Sequence, residues 1–439
     1  MKSEQSWGRL VMRYKDTEVG IIPESWEVKQ IKEVTEIVTD YVANGSFASL
    51  AENVKYKDEP DEAVLIRLVD YNNDFNGNFV FIDSHAYEFL GKSKLFGGEI
   101  IISNVGAKVG TVFRCPTLKY KMSLAPNSVM VKFKENDDFY FHWLRGYNGQ
   151  SMLKSIVTGS AQPKFNKTNF REMLVPVPPV EEQTKIANIL NSIDEKIDLN
   201  NGINKNLEQQ LQTIFKARFI DVPLLSTWKN GTFSEIVDAT LGGDWGKEAP
   251  TGNYTEQVYC MRGADIPEIK VGNKGKMPTR YILPKNYAKK ILTPGDVVVE
   301  ISGGSPTQST GRVAAVSQSL LDRYDQEMVC TNFCRAMKPK NGYSMFLYFY
   351  WQYLYDLNVF FLYENGTTGI KNLDLKGFLS TEKIRIPSFD DACEFEDICH
   401  KYFDKIFYNG LENEKLSSLR DSLLPQLMSG ELDVSDIDI

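Results

Sequence analysis

Between residues 180 and 219, apolar side chains recur at Ile186, Ile189, Leu190, Ile193, Ile197, Ile203, Leu207, Leu211 and Ile214. The steps are mostly three or four, the spacing that lines one face of a helix. Pro178 and Pro179 stand just before this run, Glu181 and Glu182 fall in its first turn, and Lys216 and Arg218 in its last. Both ends therefore complement a helix dipole, and the pattern predicts one long, well-bounded helix. A similar spacing returns between residues 391 and 424, with Phe395, Ile398, Tyr402, Ile406, Leu411, Leu416, Leu419 and Leu423, and Pro425 is read as the stop. Asn201-Gly202 is read as an interruption of the first helix and Asn409-Gly410 of the second, an offset of 409 − 201 = 208. Two matched helices with a matched flaw predict a duplication.

The segments between follow the same plan twice. In the first copy, strand-like runs at 63–70, 79–82, 99–106, 110–115 and 128–133 are short, rich in β-branched residues and punctuated by Gly, Asn and Asp. A helix over 138–156 and a polar loop, TGSAQPKFNKTNF, follow. In the second copy Trp228 echoes Trp26, VYCMRGAD echoes AVLIRLVD, and PGDVVVEISGG echoes GGEIIISNVGA. Tyr348, Phe349 and Trp351 match Tyr140, Phe141 and Trp143 at 348 − 140 = 208, and TTGIKNLDLKGF matches the polar loop. The expected fold is α+β: two mixed α/β domains separated by two long antiparallel helices forming a coiled coil, related by an internal pseudo-twofold repeat. The boundaries are 1–178 for a lead-in and first domain, 179–219 for the central helix, 220–388 for the second domain and 389–439 for the carboxyl-terminal helix and tail. At about 1.5 Å per residue each helix spans roughly 55 Å and cannot bury its stripe alone, so the two pair. Residues Ile186, Ile193, Ile197, Leu207 and Leu211 face Ile398, Tyr402, Ile406, Leu416 and Leu423 in that pairing, and buried asparagines near Asn201 and Asn409 set its register.

A chain of 439 residues with 42% hydrophobic and 25% charged side chains is an ordinary globular protein with room for two or three full cores. Its net charge of −8 weighs against extended phosphate contact, although a whole-chain sum says little about one face. No amino-terminal leader is indicated. Residues 344–363 resemble a membrane span only until Gln352, Asp356 and Asn358 break the run, which predicts a buried aromatic helix. Six cysteines without a CxxC pair, and three histidines, predict reduced thiols and no zinc site.

Catalytic signatures are missing. LGKS at 90–93 ends like a phosphate-binding loop, but the glycine required earlier is Ala86. His85, His142 and His400 are scattered, and His142 sits in an aromatic helix, the setting of a satisfied core histidine. Binding loops are better supplied. The glycine-rich segments YVANGSFASL (41–50) and ATLGGDWGKE (239–248) carry Ser46 and Phe47 in one copy and Trp245 in the other; each is either a close-approach surface for a sugar or base or a plain tight turn. SNVGAKVG (103–110) offers Asn104 and Lys108, and ISGGSPTQSTGR (301–312) offers Ser302 and Gln308, again with a polar hairpin as the plainer reading. The polar loop places Gln162, Lys164, Asn166 and Lys167 together, amides beside cations that suit base edges and phosphates. Its counterpart carries Thr367, Thr368, Lys371 and Asn372. Arg67 and Arg262, near matching strand ends, are either DNA contacts or internal ion-pair partners.

IPESWEV, TGSAQPKF, VPVPPVEEQTKIANIL and LRDSLLPQLMSGEL together resemble the specificity (S) subunit of type I restriction-modification systems, over essentially the whole chain. The second copy departs from the pattern with TTGIKNL and IPSFDDACEFEDI, which makes contacts there less secure. The resemblance implies two target recognition domains, each reading one half of a split double-stranded DNA site, joined by helices that fix the spacing. It also implies a cytoplasmic, non-catalytic chain that binds no cofactor itself. Two methyltransferase (M) subunits would bring S-adenosylmethionine, and motor-nuclease (R) subunits ATP and Mg. The competing readings are a self-contained restriction-methylation enzyme, which the missing motifs oppose, and a structural adaptor that docks proteins on its helical rod.

Overall fold

The computed structural model describes residues 13–222, 228–303, 305, 308–366, 370–435 and 437. They divide into two compact units, one formed by the chain through Asp194 together with the residues from Ser418 on, the other by Glu195–Ser417. Each long helix contributes to both units, so the unit boundaries fall within the helices.

In the first unit a four-stranded antiparallel sheet runs in the order Thr35–Asp40, Ser128–Phe133, Ile100–Ser103, Val112–Arg114. A second sheet runs Val80–Ile82, Ala63–Ile66, Lys121–Leu124, Lys94–Leu95, with its two middle strands parallel. All four residues of Ala63–Ile66 and of Ile100–Ser103 are buried, which is why those runs read as continuously apolar instead of alternating. Glu27–Gln30 pairs with Leu174–Val177, tying the start of the domain to the segment that leads into the first long helix. There Trp26, fully buried, donates its Nε1–H to Glu182 Oε2 at 2.7 Å.

The second unit repeats this order. Its four-stranded sheet runs Val237–Gly242, Cys334–Pro339, Val297–Glu300, Val313–Ala315, and a smaller sheet pairs Glu256–Met261 in parallel with Met328–Cys330 and antiparallel with Thr279–Ile282. Lys229–Thr232 pairs with Lys383–Ile386, and Trp228 Nε1–H donates to Asp391 Oδ2 at 2.8 Å, the counterpart of the Trp26 anchor. The aromatic run becomes the helix Ser344–Asp356, with Phe346, Phe349 and Trp351 buried in the core of this unit. Among the described residues no helix is long and apolar enough to cross a membrane.

The first long helix is continuous over Val180–Phe215, 36 residues, and widens into a π-turn over Lys216–Ile220. The second covers Phe389–Met428, 40 residues, with Pro425 inside it. The interruptions expected at Asn201-Gly202 and Asn409-Gly410 and the stop expected at Pro425 are therefore absent. A glycine costs a helix only about 1 kcal/mol, and a proline near the end removes one hydrogen bond, so contacts outweigh both. Within the second unit the helices run antiparallel: Asn200 meets Asn413, Asn204 meets Asn409, and Gln210 meets Tyr402. Ile186, Ile193, Leu211 and Ile406 are buried; Ile197, Leu207, Ile398, Tyr402, Leu416 and Leu423 are half-buried. Leu411 and Leu419, counted in the apolar stripe, are exposed, and Asn200, Asn204, Asn409 and Asn413 are buried in their stead.

Candidate nucleic-acid interface

Three segments of the first unit converge on one open cleft of about 710 Å³, lined among others by Tyr41, Phe47, Leu50, Tyr56, Asn104 and Lys164. The first is the segment read as a glycine-rich loop. It is a 3-10 turn, Tyr41–Asn44, followed by the helix Phe47–Asn53, because Ser46 Oγ accepts from Ser49 N at 3.2 Å and so caps a helix instead of closing a turn. Capping leaves Phe47 in the first turn, 81% exposed at the rim.

Asn104 holds the second segment against the third. Its carbonyl accepts from Phe165 N at 3.1 Å while its Nδ2 donates to Phe165 O at 3.2 Å. Backbone bridges Val105↔Lys164 and Thr158↔Lys164 then fold the polar loop into a small hairpin, with Gly159 at φ +87° at its turn and Gln162 exposed at its tip. Lys108 and Lys164 are exposed, and neither takes part in an ion pair among the described residues. Asn166 and Lys167 serve the scaffold: Asn166 Oδ1 accepts from Asn169 N at 2.7 Å and caps the helix Lys167–Glu172, and Lys167 Nζ lies 3.0 Å from Asp40 Oδ1.

The second unit keeps the same bridge. Ser302–Gly303 pairs with Asn372 and Lys371, and the Ser302↔Asn372 pair stands where Val105↔Lys164 stands in the first copy (302 − 105 = 197, 372 − 164 = 208). Here the donors are turned inward. Ser302 Oγ donates to Asn372 Oδ1 at 2.5 Å, Lys371 Nζ reaches Glu364 Oε2 at 2.8 Å, and Gln308 Nε2 donates to Tyr355 Oη at 3.4 Å. Burial would raise the Glu364 carboxyl, but Lys371 and the amide and hydroxyl of Thr310 hold it below its ordinary range. Arg312, at the end of this loop, forms a two-pronged pair with Glu300 at 2.8 and 2.6 Å. Trp245 is 39% exposed, with the Arg280 guanidinium 3.9 Å from its ring centroid. Thr367 and Thr368 lie outside the described residues.

Arg67 and Arg262 have the same role in the two copies. Arg67 donates to both oxygens of buried Asp70 at 3.0 and 2.6 Å and to Asn78 O at 2.8 Å; Arg262 donates to Asp265 at 2.9 and 3.0 Å and to Lys276 O at 2.6 Å. Of the two roles left open by the sequence, these bonds fill the internal ion pair. They also end the first strand at Ile66, where the sequence suggested a run to Asp70, by capping the short helix Leu68–Asn72. Tyr56 also lines the cleft, 15 residues after Tyr41 (56 − 41), in a polar stretch with no spacing or motif that marks it.

Burial pushes the Cys260 thiol up to about 12 and Cys334 to about 11, so both stay protonated and unreactive. His142 is buried with its Nε2 2.8 Å from Asn191 Oδ1, and burial lowers its pKa, as fits a neutral core histidine. Among the described residues no three His, Cys, Asp or Glu side chains gather as a metal site would require.

Residues 23–209 match the family model described as type I restriction modification DNA specificity domain. The chain is 22% identical to the type I restriction enzyme MjaIX specificity subunit of Methanocaldococcus jannaschii, a similarity covering 97% of both chains. It is 23% identical to the HindI specificity subunit of Haemophilus influenzae over 62% of this chain and 71% of that one. Among solved structures, the S subunit of a type I restriction-modification system from M. genitalium superposes with a TM-score of 0.53 at 16% identity, covering 92% of this chain and 96% of that one, which is a likeness of fold.

Proposed function

We propose that this chain, whose residues 23–209 match the family model described as type I restriction modification DNA specificity domain, reads a split double-stranded DNA site, one half-site per unit. It is the DNA sequence-specificity subunit of a type I restriction-modification complex. The observation that carries the two-reader model is the duplication. Both units order their sheets alike, anchor a tryptophan on a long-helix carboxylate, and place the bridged polar hairpin at the same point of the fold.

In the first unit Phe47, Lys108, Gln162 and Lys164 meet the DNA. Gln162 presents an amide to base edges, the two lysines serve phosphates or guanine, and Phe47 packs on a sugar or base. This interface draws on two lysines, so partner subunits share the phosphate contacts of a chain whose net charge is −8. Chemistry is supplied by those partners: two methyltransferase subunits carrying S-adenosylmethionine, and motor-nuclease subunits using ATP and Mg, in the cytoplasm. A helix of 36 residues at about 1.5 Å per residue is long enough to act as a ruler across more than one turn of B-DNA, about 34–36 Å.

The test is co-expression with the methyltransferase subunit and mapping of methylated adenines across host DNA. A split motif with one fixed gap is expected, and exchanging residues 26–178 for those of a relative should change one half only. Methylation of an undivided motif, or changes on both sides after the exchange, would refute the two-reader model.

A further inference from the structure

The seam between the long helices in the second unit is polar at its centre. Asn200, Asn204 and Asn409 are 1% exposed and Asn413 is 6% exposed, four side chains of a kind seldom fully buried. Their amide groups bond to one another and to the backbone, and among the four only Asn409 Oδ1 is a buried atom without a partner among the described residues. Asn200 Nδ2 donates to Asn413 Oδ1 and to Glu412 Oε2, both at 2.8 Å, and Asn413 Nδ2 donates to Asn201 Oδ1 at 2.9 Å. Asn409 Nδ2 donates to Asn204 Oδ1 at 2.8 Å. The two facing pairs stand four residues apart on each helix, in one antiparallel register.

The same cluster holds the globular part of this unit. Asn204 Nδ2 donates to Val271 O at 2.9 Å and to Ile406 O at 3.0 Å. A Cβ on Gly410 would sit 1.8 Å from Gly272 O, so the second helix lies directly on that turn. Arg323 bonds the carbonyls of Gly272 and Gly410 and pairs with Glu414 at 2.7 Å. An apolar stripe repeated every three or four residues tolerates a slip of one heptad, because leucine and isoleucine then meet leucine and isoleucine. Four asparagines do not, because a slip leaves each amide buried against hydrocarbon.

We propose that Asn200, Asn204, Asn409 and Asn413 are a register lock: they fix the axial position of the helices and of the second recognition domain, and thereby admit a single spacer length between half-sites. They are positioning residues and touch no DNA. The assignment rests on the two-reader model for its DNA consequence, but the lock itself is measurable without DNA.

The test variant is Asn204→Leu with Asn409→Leu in the full chain, which replaces a facing polar pair by an apolar one. Gln210→Cys and Tyr402→Cys, added in a Cys393→Ser background, report register through a short bismaleimide. The lock predicts that the double leucine variant loses at least about threefold in cross-link yield while keeping its helix content. In the complex with the methyltransferase subunit, it predicts methylation at the same half-site bases with more than one spacer length. Unchanged cross-linking overturns the lock. Reduced cross-linking with an unchanged single spacer overturns its role in specificity. A wild-type complex that methylates no split motif overturns the two-reader model and leaves the cross-link result standing. If the first pair does not fold, Asn200→Leu with Asn413→Leu, away from Val271, is read in the same way.

Discussion

Gly202 and Gly410 occupy equivalent places in the two long helices (410 − 202 = 208), yet alanine at the two should act in opposite directions. Nothing lies within 4 Å of the Cβ position of Gly202, whereas at Gly410 the Cβ would meet Gly272 O at 1.8 Å and Gly272 C at 2.6 Å. Removing an exposed helical glycine gains about 1 kcal/mol, so Gly202→Ala should raise Tm by about 2–4 °C for a unit of this size. Gly410→Ala has the same propensity gain. To restore contact distance, however, the helix must move about 1.5 Å from backbone that has no side chain to swing aside. That movement breaks the bond from Asn204 to Val271 O and the Arg323 bond to Gly272 O. Each lost bond costs about 1 kcal/mol, and more where the amide is left buried, so the net change is about −2 kcal/mol and Tm falls by about 4–8 °C. Differential scanning fluorimetry of the chain at matched concentration measures both. Stabilisation by both alanines would show that the Gly410–Gly272 approach does not hold this unit together.

Three further outcomes follow from the site and the ion pairs. Lys164→Ala should weaken DNA binding at every sequence tested and lower the slope of log affinity against log salt by about 1, measured by fluorescence anisotropy with the methyltransferase partner present; an unchanged slope would place Lys164 off the phosphates. Phe47→Ala should leave stability within about 0.5 kcal/mol, because the ring is 81% exposed, while reducing methylation at one half-site motif in competition sequencing; loss of folding instead would make the ring structural. Burial opposes ionisation of Asp265, but Arg262 and the amides of Arg262 and Lys276 win and hold its carboxyl below its ordinary range. Its stabilisation is therefore present above the ordinary carboxylate range and is lost as pH falls through the lowered value. Acid unfolding curves should show that loss below about pH 4 in the wild type and a shallower one in Asp265→Asn, which starts about 1–3 kcal/mol less stable.

The parts legible in the sequence are those written in periodicity over many residues: the long helices, the buried strands and the order in which both recur. What the pattern could not reveal is which stripe of a long helix is inward when the seam is polar. Leu411 and Leu419 fit the apolar spacing as well as Ile406 does, and only the partners found by Asn409 and Asn413 turn the helix so that the leucines face out. Short-range chemistry was ambiguous for a related reason. Ser46 after a glycine caps a helix or closes a turn according to what packs beneath, and an arginine at a strand end serves DNA or its own fold according to an aspartate three residues on. The Asp70 and Asp265 spacings were present in the sequence, but the spacing alone does not say whether a bond is made.

The two copies share a scaffold and differ in where their polar groups point, and that difference bears on how an acidic chain reads DNA. In the first unit Lys108, Gln162 and Lys164 remain exposed, Lys164 at the cleft, while in the second Lys371, Arg312 and Ser302 are held by Glu364, Glu300 and Asn372. An ion pair with a buried carboxylate is not given up for a phosphate without leaving that carboxylate uncompensated. The described part of the second hairpin is therefore a shaped surface more than a charged one. On the proposed function, base readout by the described residues of that half falls to side chains that keep exposed faces, Trp245 beside Arg280 the clearest of them. Affinity and specificity are then divided unequally between the halves. Raising salt should weaken binding through the first half-site, whose contacts are ionic, more steeply than through the second. Binding curves on DNA carrying only one intact half-site, taken across a salt series, would show equal slopes if the division is wrong.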